Sequence, residues 1–522
     1  MHELLGSKER SVNPIQSAAR WWPVLALGTF ALWGGDWAQF QHDGQRTGRS
    51  ADAVLGPYRI RWCWLGPDQT IRNRHHTGDP ADPELNPGDI LAGKTSLPPR
   101  VPFAFSGLCQ PVIGEGRVFV GDVDGRVYAI DAGDGTTLWT GLNPGGTFTA
   151  GALLGDVVVF TSLQGSVRAF DPGSGRLLWE RGGMGPFLSA PAVRANAVYA
   201  GSTDGRVYAF DCAGQPHWVS PSLEAPIAGG IALDDDGLYV GAENMTFYKL
   251  SLADGRVLLR RRVRGQSFAA QWPVVCRGKV YLETSPIPMI GSEYIGEDLM
   301  DAAKDVSHEM RLWRQFLRGE GGFQHASPDW QHLTVLETAD FDEPFLVPSG
   351  PFDGCGQPPD PPAVDAQDRV WTCFKSKWNR FARPCGFGTR HQVDLGPIDP
   401  ASGDRVLVDN GRVADNAWYA WETDNLYALT FGGPVLYLRQ SFRGTVAIHT
   451  GTSQARALSN LYHRRDGGVW RGDVQYADDY ELGQRVPRPS QQVPYGRPPV
   501  AISGSSLFLV ESFCLTAVEQ HR

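Results

Sequence analysis

What this chain lacks narrows it first. None of its eight cysteines are adjacent, and it has no C-x-x-C pair and no C-x-x-C-H run. The usual signatures of a redox dithiol, a zinc ribbon and a covalently attached haem are therefore missing. There is no G-x-S-x-G elbow. Positive charge is short: 48 Lys and Arg face 57 Asp and Glu, a net −9. Nothing in that balance suggests a nucleic-acid partner, which would need a concentrated basic surface. Long apolar runs are lacking too. The best is Trp21 to Trp33, WWPVLALGTFALW, which falls short of the ~20 residues needed to span a bilayer.

That run fits the apolar core of an export signal, with Lys8, Arg10 and Arg20 ahead of it. Residues 1–35 are expected to be a signal peptide or an uncleaved N-terminal anchor. The remainder is expected outside the cytoplasm, periplasmic or secreted, with no transmembrane span in the mature chain. What is plentiful is glycine and proline, 62 and 38 residues, scattered between short apolar runs. Many short strands joined by tight turns give that distribution.

The strands repeat. GRVFVGDVDGRVYAIDAGDGTTLW (116–139), GDVVVFTSLQGSVRAFDPGSGRLLW (155–179) and NAVYAGSTDGRVYAFDCAGQPHW (196–218) share one plan. Gly125, Gly165 and Gly205 are 40 residues apart, as are Asp131, Asp171 and Asp211. A period of this length with alternating apolar residues marks a propeller blade of four antiparallel strands. Val118, Val120, Val127 and Ala129 are expected on a single sheet face. Trp139, Trp179 and Trp218 should pack between neighbouring sheets, beside the small Ala129, Ala169 and Ala209. Fainter copies continue to PVAISGSSLFLVESFCLTAVE at the C-terminus, which supplies only three strands. YRIRWCW (58–64) matches the missing outer strand, and pairing it there closes the ring and hides its edges. The expected fold is all-β: an eight-bladed propeller of four-stranded antiparallel blades over 36–522, closed by an N-terminal strand, with one helical insertion.

The unit resembles the pyrroloquinoline-quinone (PQQ)-type propeller repeat, best over Phe119 to Trp139 and Tyr199 to Trp218, and DWAQFQHDGQRTG (36–48) resembles the segment preceding the first blade in exported members. That group holds quinoprotein dehydrogenases and BamB-like assembly scaffolds, so the resemblance implies fold more than chemistry. It implies a vicinal disulfide and a calcium set for an active quinoprotein, and neither can be matched onto this sequence. No cofactor is expected; PQQ with calcium belongs to the alternative, a divergent quinoprotein oxidoreductase. A carbohydrate-active propeller is the third reading.

If each blade runs inner to outer as strands a to d, the b–c turns and the d–a connections share one face. The long insertions 66–108, 285–330, 348–361, 375–392 and 459–497 all map there, which makes that face the expected working surface. Within 285–330, Asp298 to Arg318 reads as a helix. Its stripe of Leu299, Ala303, Val306, Met310, Trp313 and Leu317 should pack on the rim. Geometry places Gln110, Thr149, Ser189, Gln271 and Trp272 at the channel mouth. In 375–392, Lys377, Trp378, Arg380 and Arg383 combine cationic and aromatic groups suited to an anionic or carbohydrate-like ligand. The expected partner is a protein or a small-molecule or carbohydrate ligand on this face of a monomer. No metal site is expected: Asp122-Val-Asp124-Gly125 reads as a turn, and the neighbouring His75 and His76 point apart. Cys373 and Cys385 could brace the 375–392 loop. Alignment to the first blade puts Cys514 opposite about Trp64, on the other sheet face from Cys63.

Overall fold

The computed structural model describes residues 37–56, 58–67, 69–82, 104–284, 299, 302–323, 326–349, 361–376, 392–406, 427–440, 444–450, 454–457, 498–511 and 514–520. Its strands form eight sheets, the eight blades of the propeller. Blade one is typical: Val112–Gly114, Arg117–Gly121, Arg126–Asp131 and Thr137–Leu142 run antiparallel from the axis outward. Blades two, three and four follow over 152–181, 192–219 and 231–262, each with four strands. Among the described residues blades five and six show three paired strands each, and blade seven carries four from Tyr427–Gly432 outward to Gln454–Ala457.

Closure follows the expectation. Tyr58–Trp64 pairs antiparallel with Cys514–Gln520 and completes blade eight, with Ile60 opposite Val518 and Trp62 opposite Ala517. The register differs by one residue from the alignment to blade one. Arg61 is bulged, so Cys63 lies opposite Thr516 and Trp64 opposite Leu515. Cys514 therefore shares a sheet face with Cys63, with Thr516 Oγ1 3.8 Å from one sulfur and 4.0 Å from the other. A second correction concerns blade one. Phe119 lies opposite Ala129 and Val118 opposite Ile130, so Val118 and Val120 face the opposite way from Val127 and Ala129. Val118 and Val120 pack with blade eight, and Val127 and Ala129 with blade two.

The outer tryptophans act as expected. Each lies on the c–d turn of the next blade and donates its indole N–H to a carbonyl there: Trp62 to Ala132 (3.2 Å), Trp139 to Pro172 (2.8 Å), Trp179 to Cys212 (2.8 Å) and Trp218 to Leu252 (2.9 Å). The turn needs glycine for two reasons. Gly175 has φ +71°, and a Cβ there would lie 2.5 Å from the Trp139 ring. Where the tryptophan is missing, other apolar groups fill the joint. Leu259 packs with Phe247 and Phe341 between blades four and five, and Phe345 covers Gly403 of blade six.

The helix in 285–330 spans Val306–Leu317, capped by the Asp305 side chain, which accepts from His308 N. Leu299, Ala303, Met310, Trp313 and Leu317 are buried and Val306 is half-buried, so the stripe does pack inward. Among the described residues no helix is long and apolar enough to cross a membrane.

Candidate functional site

The b–c turns and d–a connections are knitted into one face by backbone hydrogen bonds. Thr147 N donates to Asp122 O, Phe187 N to Ser162 O and Ile227 N to Ser202 O, while Thr203 N and Glu243 N reach Pro186 O and Pro226 O of the preceding connection. Asp122 starts one such turn: its carboxylate accepts from Arg126 N at 2.7 Å and from Tyr128 OH at 2.8 Å. Burial pushes its pKa up against the pull of those two bonds. Asp122-Val-Asp124-Gly125 is accordingly a hairpin turn with its carboxylate turned to its own chain.

Below this face the channel is filled by the chain itself. Residues 37–50 pass the inner strands of blades one to seven in order, and each blade takes at least one hydrogen bond. Trp37 exchanges both backbone bonds with Ile113, and Leu153 N donates to Ala38 O. The Gln39 amide brackets Val193, donating to its carbonyl at 3.1 Å and accepting from its N–H at 3.0 Å. Leu233 N, Val275 N and Val364 N donate to Gly44, Gln45 and Thr47 carbonyls, and Arg49–Ser50 pairs parallel with Phe431 and Gly432. The buried Arg46 donates to the carbonyls of Ile231 (2.8 Å), Phe40 (2.6 Å) and Pro191 (3.4 Å). Inner strands converging on an axis expose a ring of unpaired backbone groups, and this segment bonds to those of seven of the eight blades. Sequence reasoning identified 36–48 only as a lead-in to the first blade. The signal that could have found the plug is this need for partners along the inner edges.

The five expected mouth residues come together around this plug, and all five are buried. Gln110 accepts from Gln41 N at 2.7 Å and donates to Pro499 and Val500 carbonyls, tying plug, blade one and blade eight together. Trp272 lies over Gly230, where a Cβ would sit 1.6 Å from its ring, and its other neighbour is Phe40, stacked at 4.2 Å. Gln271 accepts from Gly230 N through its backbone carbonyl at 2.7 Å. Thr149 Oγ1, Ser189 Oγ and Trp272 Nε1 have no hydrogen-bond partner among the described residues. Buried polar atoms of this kind call for water or a small polar ligand. Lys377, Trp378, Arg380 and Arg383 lie outside the described residues, as does Cys385.

Two insertions leave the face to which the sequence assigns them. After Trp64 the chain doubles back, and Thr70–Arg72 pairs with Trp62–Trp64 as a fifth strand on the outer edge of blade eight. His75 and His76 follow on the short helix Arg74–Thr77, with His76 Nε2 3.4 Å from Arg61 Nε. Helix Val306–Leu317 reaches the c–d turn of blade six, where Arg314 bonds Asp404 at 2.5 Å. Both segments cover apolar or open edges that would otherwise face water.

Residues 94–219 and 203–330 match the family described as outer membrane protein assembly factor BamB, a stretch covering less than half of the chain. The eight sheets make the chain an eight-bladed β-propeller, and over 94–330 its repeats match that PQQ-type family. No curated protein matches it in sequence. Solved structures of similar fold include BamB from Moraxella catarrhalis, 11% identical, covering 80% of this chain and 97% of that one, with a TM-score of 0.45. Quinohemoprotein alcohol dehydrogenase from Comamonas testosteroni is 13% identical, covering 94% and 81%, with a TM-score of 0.49. The computationally designed Ika8 protein is also 13% identical, covering 80% and 98%, with a TM-score of 0.49. None of these likenesses carries an argument about what this chain does.

Proposed function

We propose that this propeller is a non-catalytic binding scaffold working outside the cytoplasm, and that it holds a protein or carbohydrate-like ligand on its loop-bearing face. One observation carries the reading: the channel behind that face is filled by residues 37–50, so a ligand meets the ring at its surface. The same observation weighs against the oxidoreductase reading. A planar quinone needs an open aromatic floor, and Phe40 takes the stacking face of Trp272 at 4.2 Å. Trp272, with Gly230 on one side and Phe40 on the other, offers no such floor. The insertions 348–361, 375–392 and 459–497 would supply the contacts, Lys377, Trp378, Arg380 and Arg383 foremost. The assembly-factor description of the matching family and the apolar run Trp21–Trp33 support both the scaffold role and the location.

Photo-crosslinking in cells tests this directly. A crosslinking residue placed at Trp378 should give discrete partner adducts, and one at Glu115, on the opposite face, should give none. In parallel, the purified chain is mixed with PQQ and calcium, and cofactor absorbance and dye reduction with alcohols are followed. Saturable uptake with turnover would overturn the scaffold reading.

A further inference from the structure

The outer rim carries a second surface, separate from the loop-bearing face. A blade's outermost strand leaves one row of backbone N–H and C=O groups open, which is a template for another strand. This ring already uses that template once: Thr70–Arg72 adds to the edge of blade eight, with Trp62 opposite Arg72 and Trp64 opposite Thr70. The outer strand of blade four, Val257–Arg262, pairs only with Thr246–Leu250 among the described residues. It differs from its neighbours. The outer strand of blade three is four residues long and starts with Pro216, and that of blade two places Glu180 against Arg168 at 2.8 Å. Val257–Arg262 has six residues and exposes Val257, Leu258, Arg260 and Arg262.

The charges on this edge select the occupant. Arg261 is spent internally, donating to Phe341 O at 2.6 Å with Asp342 and Glu343 within 4 Å. Arg260 and Arg262 form no ion pair among the described residues. They stand two residues apart, the spacing at which alternate residues of an added strand face them. The chain as a whole is at −9, so this cationic strip is local. A second copy is a poor occupant, because edge-to-edge pairing would set four exposed, unpaired arginines in one strip. We infer that the outer edge of blade four docks an extended acidic segment of a partner protein, with carboxylates at alternate positions beside Arg260 and Arg262 and an apolar residue beside Val257 and Leu258.

This inference does not rest on the loop-bearing face, and its test is separate. The probes are two labelled peptides, Glu-Val-Glu-Val-Glu-Val and Lys-Val-Lys-Val-Lys-Val, titrated into the full-length protein by fluorescence anisotropy. Bound sites are then mapped by amide hydrogen exchange. The acidic peptide should bind saturably, weaken with salt, and protect the amides of 257–262. Affinity should fall about tenfold in R260E/R262E, the effect of reversing two cross-strand charge pairs, and the basic peptide should bind no better than background. Both arginines are exposed, so the variant should unfold like the parent, and a thermal scan verifies this. Four results would overturn the inference: no saturable binding (the arginines then only guard an edge), equal binding by R260E/R262E, protection elsewhere, or protection of 257–262 that rises with protein concentration alone.

Discussion

The guanidinium of Arg405 donates to Oε1 of Glu309 at 2.5 Å, and both side chains are shut off from water. This pair fastens helix Val306–Leu317 to blade six. A buried pair costs most when only one partner goes, because the other charge is left stranded. Glu309→Ala should therefore destabilise by about 3–5 kcal/mol, with the helix becoming protease-sensitive. Replacing both partners with apolar residues, E309L/R405M, should cost far less. Urea unfolding and limited proteolysis of the two variants check this.

The tryptophan joints should behave as cavities when emptied. Trp139→Ala removes a buried ring from the joint with Gly175 and should cost about 3–5 kcal/mol. Trp139→Phe keeps most of the volume and loses the bond to Pro172 O, about 1 kcal/mol. Equilibrium denaturation of the pair separates packing from hydrogen bonding.

Asp122 gives a pH signature. Burial raises its folded pKa above the ordinary carboxylate value of 3.8. The folded state then holds the proton more tightly than the unfolded chain, so stability from this group falls as pH rises from 3.8 through the raised value. Asp122→Asn lacks that dependence. The melting-temperature difference, variant minus parent, should climb with pH across this window and then level off.

The plug can be loosened one blade at a time. Gln39→Leu leaves the N–H and carbonyl of Val193 unpaired on the inner edge of blade three, at a cost of about 1–3 kcal/mol. Faster amide exchange should appear at Val193 and in the plug, while the outer strands of blade three keep their protection.

Much of the ring was legible in the sequence because its parts repeat. The forty-residue step from Gly125 to Gly165 to Gly205 marks a turn that needs positive φ, and Trp139, Trp179 and Trp218 mark the outer strands. Tyr58–Trp64 could be placed because it carries the same outer-strand pattern. What could not be read has no period. The plug, 37–50, appears once, and its contacts are mostly backbone bonds that many side chains would permit. Phe345 does the work of a tryptophan but sits on a segment with no repeat to flag it. The bulge at Arg61 shifts the register by one residue, and one residue is enough to move Cys63 onto the face of Cys514. The expected mouth residues Gln110, Thr149, Ser189, Gln271 and Trp272 lie just before the inner strands of blades one, two, three and five. Their burial could not be foreseen without the segment that covers them.

Native-state hydrogen exchange on the intact chain tests the central claim most directly: that the N-terminal segment threads the axis and then closes the ring. Amides of 37–50 and 58–64 should exchange as slowly as those of their partners in Ile231–Leu233 and Cys514–Gln520. If 37–50 exchange within seconds while the inner strands stay protected, the channel is open and the account of the site fails with it.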